Sequence, residues 1–292
     1  MQAGDPIDQI DRISEELSGH AVEDYIRQRL AELRPTTGQR AMEQVFLAGV
    51  SGVHWVGTLL TAGLALKAGG DQVEIDGLLR AWLDKHSVKL RLLEEALAAL
   101  NARLEMLGDV TERVESDEYL SIVREAFRVW DEAETEEKRQ YVGHLIGNAA
   151  GQNIVSDDVV RLFVEWVRTY HEIHFSVIRA IYKRPHSTRR QIWIQQPHSQ
   201  GKIPREDSAE ADLFRLVIRD LSTGGVIRQR REVDRNGNFV RQPATRRPRG
   251  TPAPATLESS FDDDDEYVLT ALGDAFVRYT IEDLVPLLSE GN

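Results

Sequence analysis

The chain has 292 residues, 41% of them apolar, with a formal net charge of −12 and no cysteine. That length suits two domains with real cores, and the missing thiols exclude disulfides, thiolate zinc sites and cysteine nucleophiles. The acidity excludes a general nucleic-acid coat, but only as an average. From Lys183 to Arg249 there are 16 Lys and Arg against 7 Asp and Glu, a net of +9 that leaves −21 for the rest. A basic segment on an acidic body points to one part of the molecule as the part that meets an anionic partner. The opening MQAGDPIDQIDRISEELSG has neither the basic flank nor the apolar stretch of a secretory signal. With the lack of cysteine, this sets the expectation of a cytoplasmic protein.

Residues 5–34 carry Ile7, Ile10, Leu17, Tyr25, Ile26, Leu30 and Leu33 roughly at helical spacing, and Pro35 stops that helix. A second helix is predicted from Thr37 to Lys67, ended at Ala68-Gly69-Gly70. Within it, Gln44–Leu66 contains no Asp, Glu, Lys or Arg, and by length it could cross a bilayer, which takes roughly 20 apolar residues. Against a span, His54 and Trp55 lie in mid-run. Arg27, Arg29, Arg34 and Arg40 on one side are matched by Lys67, Arg80, Lys85 and Lys89 on the other, so no orientation is specified. The third helix runs from about Val73 to Leu107, where Leu90, Leu93, Leu97, Leu100, Leu104 and Leu107 alternate by three and four. Such a seam buries itself against another helix. The expectation is a hairpin of these two helices in a soluble bundle, with Gly49, Gly52 and Gly57 allowing close approach. A membrane-active effector using residues 44–66 is the alternative.

Shorter helices follow. Ser116 caps SDEYLSIVREAFRVWDEA, Thr135 caps TEEKRQYVGHLIGNAA, and Ser156 caps SDDVVRLFVEWVRTY, each with two carboxylates in its first turn. After Tyr170 the pattern changes. HEIHFSVIRAIYKR is a helix ended by Pro185, Ser187 and Thr188 offer caps for TRRQIWIQQ, and Ser208 caps AEADLFRLVIRDLSTGG. VIRQRREV then alternates like a strand, and Asn236-Gly237 signals a hairpin turn. Residues 238–265 are rich in Pro, Thr, Arg and Asp and read as a long disordered loop. Tyr267-Val268-Leu269 is a returning strand, and Thr270 caps TALGDAFVRYTIEDLVPLL.

The order helix, helix, helix, strand, loop, strand resembles a winged helix-turn-helix. LFRLVIRDLSTGGVIRQ is similar to the third helix of such domains running into the first wing strand. YVLTALGDAF is similar to their returning strand and closing helix. The resemblance covers about Tyr170 to Leu288. It departs from the pattern in a long link between the second and third helices and a wing several times the usual length. It implies that the third helix and wing face an anionic partner. The residues put forward for that contact are Arg215 and Arg219 on the third helix, Arg228, Arg230, Arg231, Arg235 and Arg241 on the wing side, and Arg189 and Arg190 on the second helix. A protein partner or self-association is the other use of such a module. Upstream, DEYLSIVREAFRVWDEAETEEKRQYVGHLIGNAA resembles poorly characterised bacterial helical proteins of the abortive-infection alpha type, which implies a role in phage defence and supplies no catalytic residues.

The fold class expected is therefore mainly α: a helical bundle over 1–168 with long hairpin helices, then a winged-helix (α+β) domain over 169–292. Its expected function is non-enzymatic binding or regulation, without cofactor or metal. His171 and His174 stand at i and i+3, where a helical zinc motif needs i and i+4, and read as a solvated or capping pair. His54 reads as a hydrogen-bonded core histidine, and Trp82, Trp130 and Trp166 as core. Ser51 in Gly49-Val50-Ser51-Gly52 lacks the strand-turn-helix setting of a hydrolase nucleophile. Glu136 and Glu137 are first-turn residues before they are anything else.

Overall fold

The structure, a computed structural model, describes residues 40–55, 72–107, 110–151, 154–231, 235, 261 and 265–281, with backbone alone at 40, 42, 72–87 and 90. The predicted helix at 5–34, Gly57, the turn at 236–237 and almost all of 238–265 lie outside those residues. The described chain is mainly helical with one small antiparallel sheet. It divides into two compact units, Met1–Arg168 with Tyr279–Asn292, and Thr169–Arg278.

The first unit contains α1 (Arg40–Gly52), α2 (Gln72–Met106), the single turn α3 (Thr111–Val114), α4 (Asp117–Glu132), α5 (Glu136–Gly151) and α6, which begins at Asp157 and runs to Thr169. Local chemistry sets the starts. The Ser116 hydroxyl accepts from the Tyr119 N–H at 3.3 Å and Thr135 from the Lys138 N–H at 3.4 Å, each satisfying a donor left open in a first turn. The core centres on α4, whose Tyr119, Ile122, Val123, Ala126, Phe127, Val129 and Trp130 are buried. Tyr119 donates its hydroxyl to the Ile146 carbonyl at 3.0 Å, and burial holds its phenol well above the ordinary range.

Two expectations about the uncharged run are corrected. The helix from Thr37 is not continuous to Lys67. It ends at Gly52; Val53 leaves the helical conformation with its N–H on the Val50 carbonyl at 3.2 Å, and residues 56–71 lie outside the described ones. Nor is the leucine seam the main partner of this helix. A Cβ on Gly52 would stand 2.3 Å from the Arg124 carbonyl oxygen, and one on Gly49 3.1 Å from Phe127 Cε2 and 3.2 Å from Leu97 Cδ2. The glycine face of α1 thus lies chiefly on α4 and meets the seam at Leu97. Leu93, Leu97, Leu100 and Leu104 are buried, and α2 packs mainly on α5. The physical reason is shape: α2 lies close on bare backbone of α5, where a Cβ at Gly151 would stand 2.5 Å from Leu107 Cδ2 and one at Gly147 2.3 Å from Arg103 Cδ. His54 is exposed, not core. Its neighbour Trp55 is buried and donates Nε1 to Asp131 Oδ1 at 2.7 Å, an oxygen that Lys89 Nζ also reaches at 3.2 Å.

The second unit contains α7 (Glu172–Lys183), β1 (Ser187–Thr188), α8 (Arg189–Ile194), α9 (Ala209–Thr223), β2 (Ile227–Gln229), β3 (Glu266–Leu269) and all of α10 (Ala271–Thr280) but its last two residues, Tyr279 and Thr280, which belong to the first unit. The sheet order is β1-β3-β2, antiparallel throughout, with Ser187 opposite Tyr267 and Arg228 opposite Val268. β1 is two residues long, too short for an alternation signal, and sequence reading assigned it only a capping role. That role is also present: Thr188 accepts from Gln191 N–H, and the Gln191 side chain returns a bond to Thr188 N–H at 3.1 Å. At the end of α9, Gly225 takes φ +75, which reverses the chain into β2. Phe214 and Phe261 stack at 5.6 Å with Trp193 edge-on to both, making the aromatic core under α8 and α9.

Candidate functional site

The basic segment is folded around a concavity of about 610 Å³ in the second unit, lined by Arg189, Arg215, Ile218, Arg219, Ser222, Ile227, Arg228, Gln229, Arg231 and Tyr267. Its construction follows from the sequence. Arg215, Arg219 and Ser222 recur at helical spacing along one face of α9. The Gly225 reversal brings Arg228 and Gln229 on β2 alongside. The Thr188 cap starts α8 so that Arg189, its first residue, reaches the central strand. There Arg189 Nε donates to the Tyr267 hydroxyl at 2.9 Å, and its guanidinium carbon lies 5.6 Å from the centre of the Tyr267 ring. Gln229 Nε2 reaches the same hydroxyl at 3.4 Å and the Asp265 carboxylate at 2.9 Å.

Five of the nine arginines expected at an anion-binding face thus line one concavity, and no Asp or Glu is among its described lining residues. The other four are not in it. Arg230 turns to Glu266, whose carboxylate it meets at 2.8 Å; that hydrogen bond is the main reason the Glu266 carboxyl sits below its ordinary range. Arg190 and Arg235 are exposed elsewhere, and Arg241 lies outside the described residues. Within the concavity, Arg215 is shared outward with Asp212 at 2.6 Å and with the backbone carbonyl and carboxylate of Glu206. Tyr267, Gln229 and Ser222 were not singled out from the sequence; the alternation of the returning strand was the signal that could have found Tyr267.

Beside the C-terminal end of α9, Tyr170 stacks on His174 at 5.1 Å. Its phenol is pushed up to about 12, by burial first and then by the Asp220 charge. The sign for stability follows. An unfolded tyrosine ionises near pH 10, so between about pH 10 and pH 12 the unfolded state sheds a proton that the folded state retains. Stability from this group is present below that window and lost as pH rises through it. Tyr170→Phe is therefore expected to flatten the alkaline fall in stability, measured as the urea midpoint between about pH 9 and pH 12. His171 and His174 form a cap, the His171 N–H donating to His174 Nδ1 at 3.2 Å, and no group of three His, Asp or Glu among the described residues could hold a metal ion.

The first unit has a second concavity, about 480 Å³, floored by Ala96, Ala99, Ala102 and Gly143 and edged by Glu95, Glu136, Arg103 and Arg139. Its rim is of mixed sign. Arg139 is bonded to the Ala133 carbonyl at 2.9 Å and lies 5.8 Å from the Trp130 ring centre. The histidine and asparagine of the His144–Ala149 motif hold backbone: His144 Nδ1 is 3.0 Å from the Thr280 carbonyl, and Asn148 donates to the Tyr279 carbonyl at 3.0 Å while accepting from Arg103. These are the open acceptors of a helix C-terminus.

No helix among the described residues is long and apolar enough to cross a membrane. No protein-family model, curated protein or solved structure matches the chain.

Proposed function

We propose that the second unit is a winged helix that contacts nucleic acid through the arginine concavity, the protein being a binding or regulatory factor and not an enzyme. The observation that carries this is the convergence of Arg189, Arg215, Arg219, Arg228 and Arg231 on one surface, with no carboxylate among the described lining residues, in a chain of net charge −12. Five guanidinium groups held in one place against an overall negative field have a use in meeting phosphate. The helix order α7, α8, α9 followed by a hairpin of β2 and β3 supports the winged-helix reading, and β1 completes the three-stranded sheet that such a domain needs.

A place in phage defence would rest on the resemblance of residues 117–150 alone, which includes His144-Leu145-Ile146-Gly147-Asn148-Ala149. Its His144 and Asn148 are committed to holding Tyr279 and Thr280, which favours a scaffold role for the first unit over chemistry there.

The test is fluorescence anisotropy with labelled nucleic acid in low salt, comparing the native chain with Arg219→Ala/Arg228→Ala. Binding is expected, with a salt slope between about −2.7 and −4.5 for three to five phosphate contacts. The double variant is expected to bind at least about tenfold more weakly, with the slope shallower by about 2. An unchanged affinity in the variant, or no binding at low salt, sinks the reading.

A further inference from the structure

The concavity and the helix beside it carry opposite instructions. In a domain that reads bases, the exposed N-terminal half of α9 would enter the major groove. Here that half presents Glu210 and Asp212, with Leu213 and Leu216 exposed at 47% and 41%. Glu210 is ionised at neutral pH, since its own backbone N–H and the Ser208 hydroxyl hold its carboxyl below the ordinary range. In the major groove carboxylates can accept only from the amino groups of cytosine and adenine, and leucines offer contact to the thymine methyl alone. Both carboxylates would also sit between two rows of phosphates. Arg215, the cation best placed for a base edge, is already held by Asp212 and Glu206.

A second observation concerns single strands. Their proteins combine a basic track with exposed aromatic faces on which bases stack. The aromatic residue in this concavity is Tyr267, 2% exposed, with the Arg189 guanidinium over its ring. No face is offered to a base there.

We infer that the concavity takes the phosphodiester backbone of a double helix without reading its sequence, α9 lying along the backbone with its acidic half held out of the groove. This rests on the nucleic-acid reading above. It assigns Arg219, Arg228 and Arg231 to phosphate contact and leaves Glu210 and Asp212 as the groups that keep the helix out.

The experiment uses the full chain with four labelled probes of equal length: a DNA duplex, an RNA duplex, and the single strand of each. The DNA duplex is also tested after methylation of guanine N7, which blocks the major-groove edge. Repeated selection from a random duplex pool runs in parallel. The expected results are binding to at least one duplex several-fold tighter than to its single strand, unchanged binding after N7 methylation, and a selected pool with no consensus. Emergence of a consensus, a tenfold loss on N7 methylation, or tighter binding to single strands overturns the inference while leaving nucleic-acid binding in place. No binding to any probe overturns the underlying reading and this inference with it. Glu210→Gln/Asp212→Asn supplies a separate check. Duplex affinity should rise through reduced repulsion with no consensus acquired; a fall in duplex affinity would show these carboxylates making contacts and would overturn their assignment.

Discussion

Gly273→Ala is expected to destabilise the second unit by about 3 kcal/mol, the upper end of what one added methyl costs in a packed interior. A Cβ at Gly273 would stand 2.1 Å from the Val226 carbonyl oxygen and 3.0 Å from its carbon. Backbone atoms have no rotamer in which to step aside. Val226 cannot drift as a unit either. Its N–H bonds the Leu221 carbonyl at 2.9 Å at the end of α9, and its carbonyl accepts from the Thr270 N–H at 3.0 Å. The Thr270 hydroxyl accepts from the Gly273 N–H at 2.9 Å and donates to the Gly225 carbonyl at 2.6 Å. Relieving the clash therefore breaks either the α9–β2 reversal or the cap of α10. Because both flank the arginine concavity, nucleic-acid affinity should fall together with stability. Hydrogen exchange localised to 169–278 is the readout, since two units need not unfold together. Gly143→Ala is the control: a Cβ there meets nothing within 4 Å, and in mid-helix it should stabilise by up to about 1 kcal/mol. A Gly273→Ala protein with native exchange rates would show that the Leu-Thr-Ala-Leu-Gly segment does not pack on Val226.

That segment shows what was legible in the sequence. Capping serines and threonines, the glycine stops and the returning strand are local decisions, made by one side chain and the two or three peptides next to it. They could be read at Ser116, Thr188, Ser208 and Thr270 because nothing distant changes them. Choice of partner is not local. The leucine seam of α2 states that it will be buried, but Leu93 or Leu100 carries no information on which helix covers it. α5 lies under it where Gly147 and Gly151 leave room for Arg103 and Leu107, a property of the surface that three-four periodicity does not encode. The site shows the same division. Net charge located the basic segment, but the bonds its arginines make to neighbouring acids, near and far in sequence, are not encoded in it. Glu266 diverts Arg230 across the hairpin, and Glu206 and Asp212 draw on Arg215. Tyr267 went unnoticed because its importance depends on β1, a strand of two residues.

Gly52→Ala is the second substitution with a large expected effect, about 3 kcal/mol in the first unit, and a companion series tests the corrected packing of α1. At Gly49 an added Cβ meets side chains, Phe127 Cε2 and Cδ2 and Leu97 Cδ2, all at 3.1–3.2 Å. Replacing Phe127 by leucine removes the ring, so Gly49→Ala should cost less in the Phe127→Leu background, a coupling of about 1 kcal/mol in a double-mutant cycle. At Gly52 the nearest atom is the Arg124 carbonyl oxygen and the next is Phe127 Cβ, at 3.1 Å. Leucine keeps that Cβ, so Phe127→Leu should give Gly52→Ala no relief, and the two costs should add within about 0.5 kcal/mol. Coupling at position 49 without coupling at 52 is a pattern that only α1 laid on α4 produces. Had α1 paired with the leucine seam instead, Leu97→Ala would rescue both positions and Phe127→Leu neither. If Gly52→Ala proves neutral in the folded chain, α1 does not rest on α4, and the uncharged run from Gln44 onward regains its other reading, a helix whose partner is lipid.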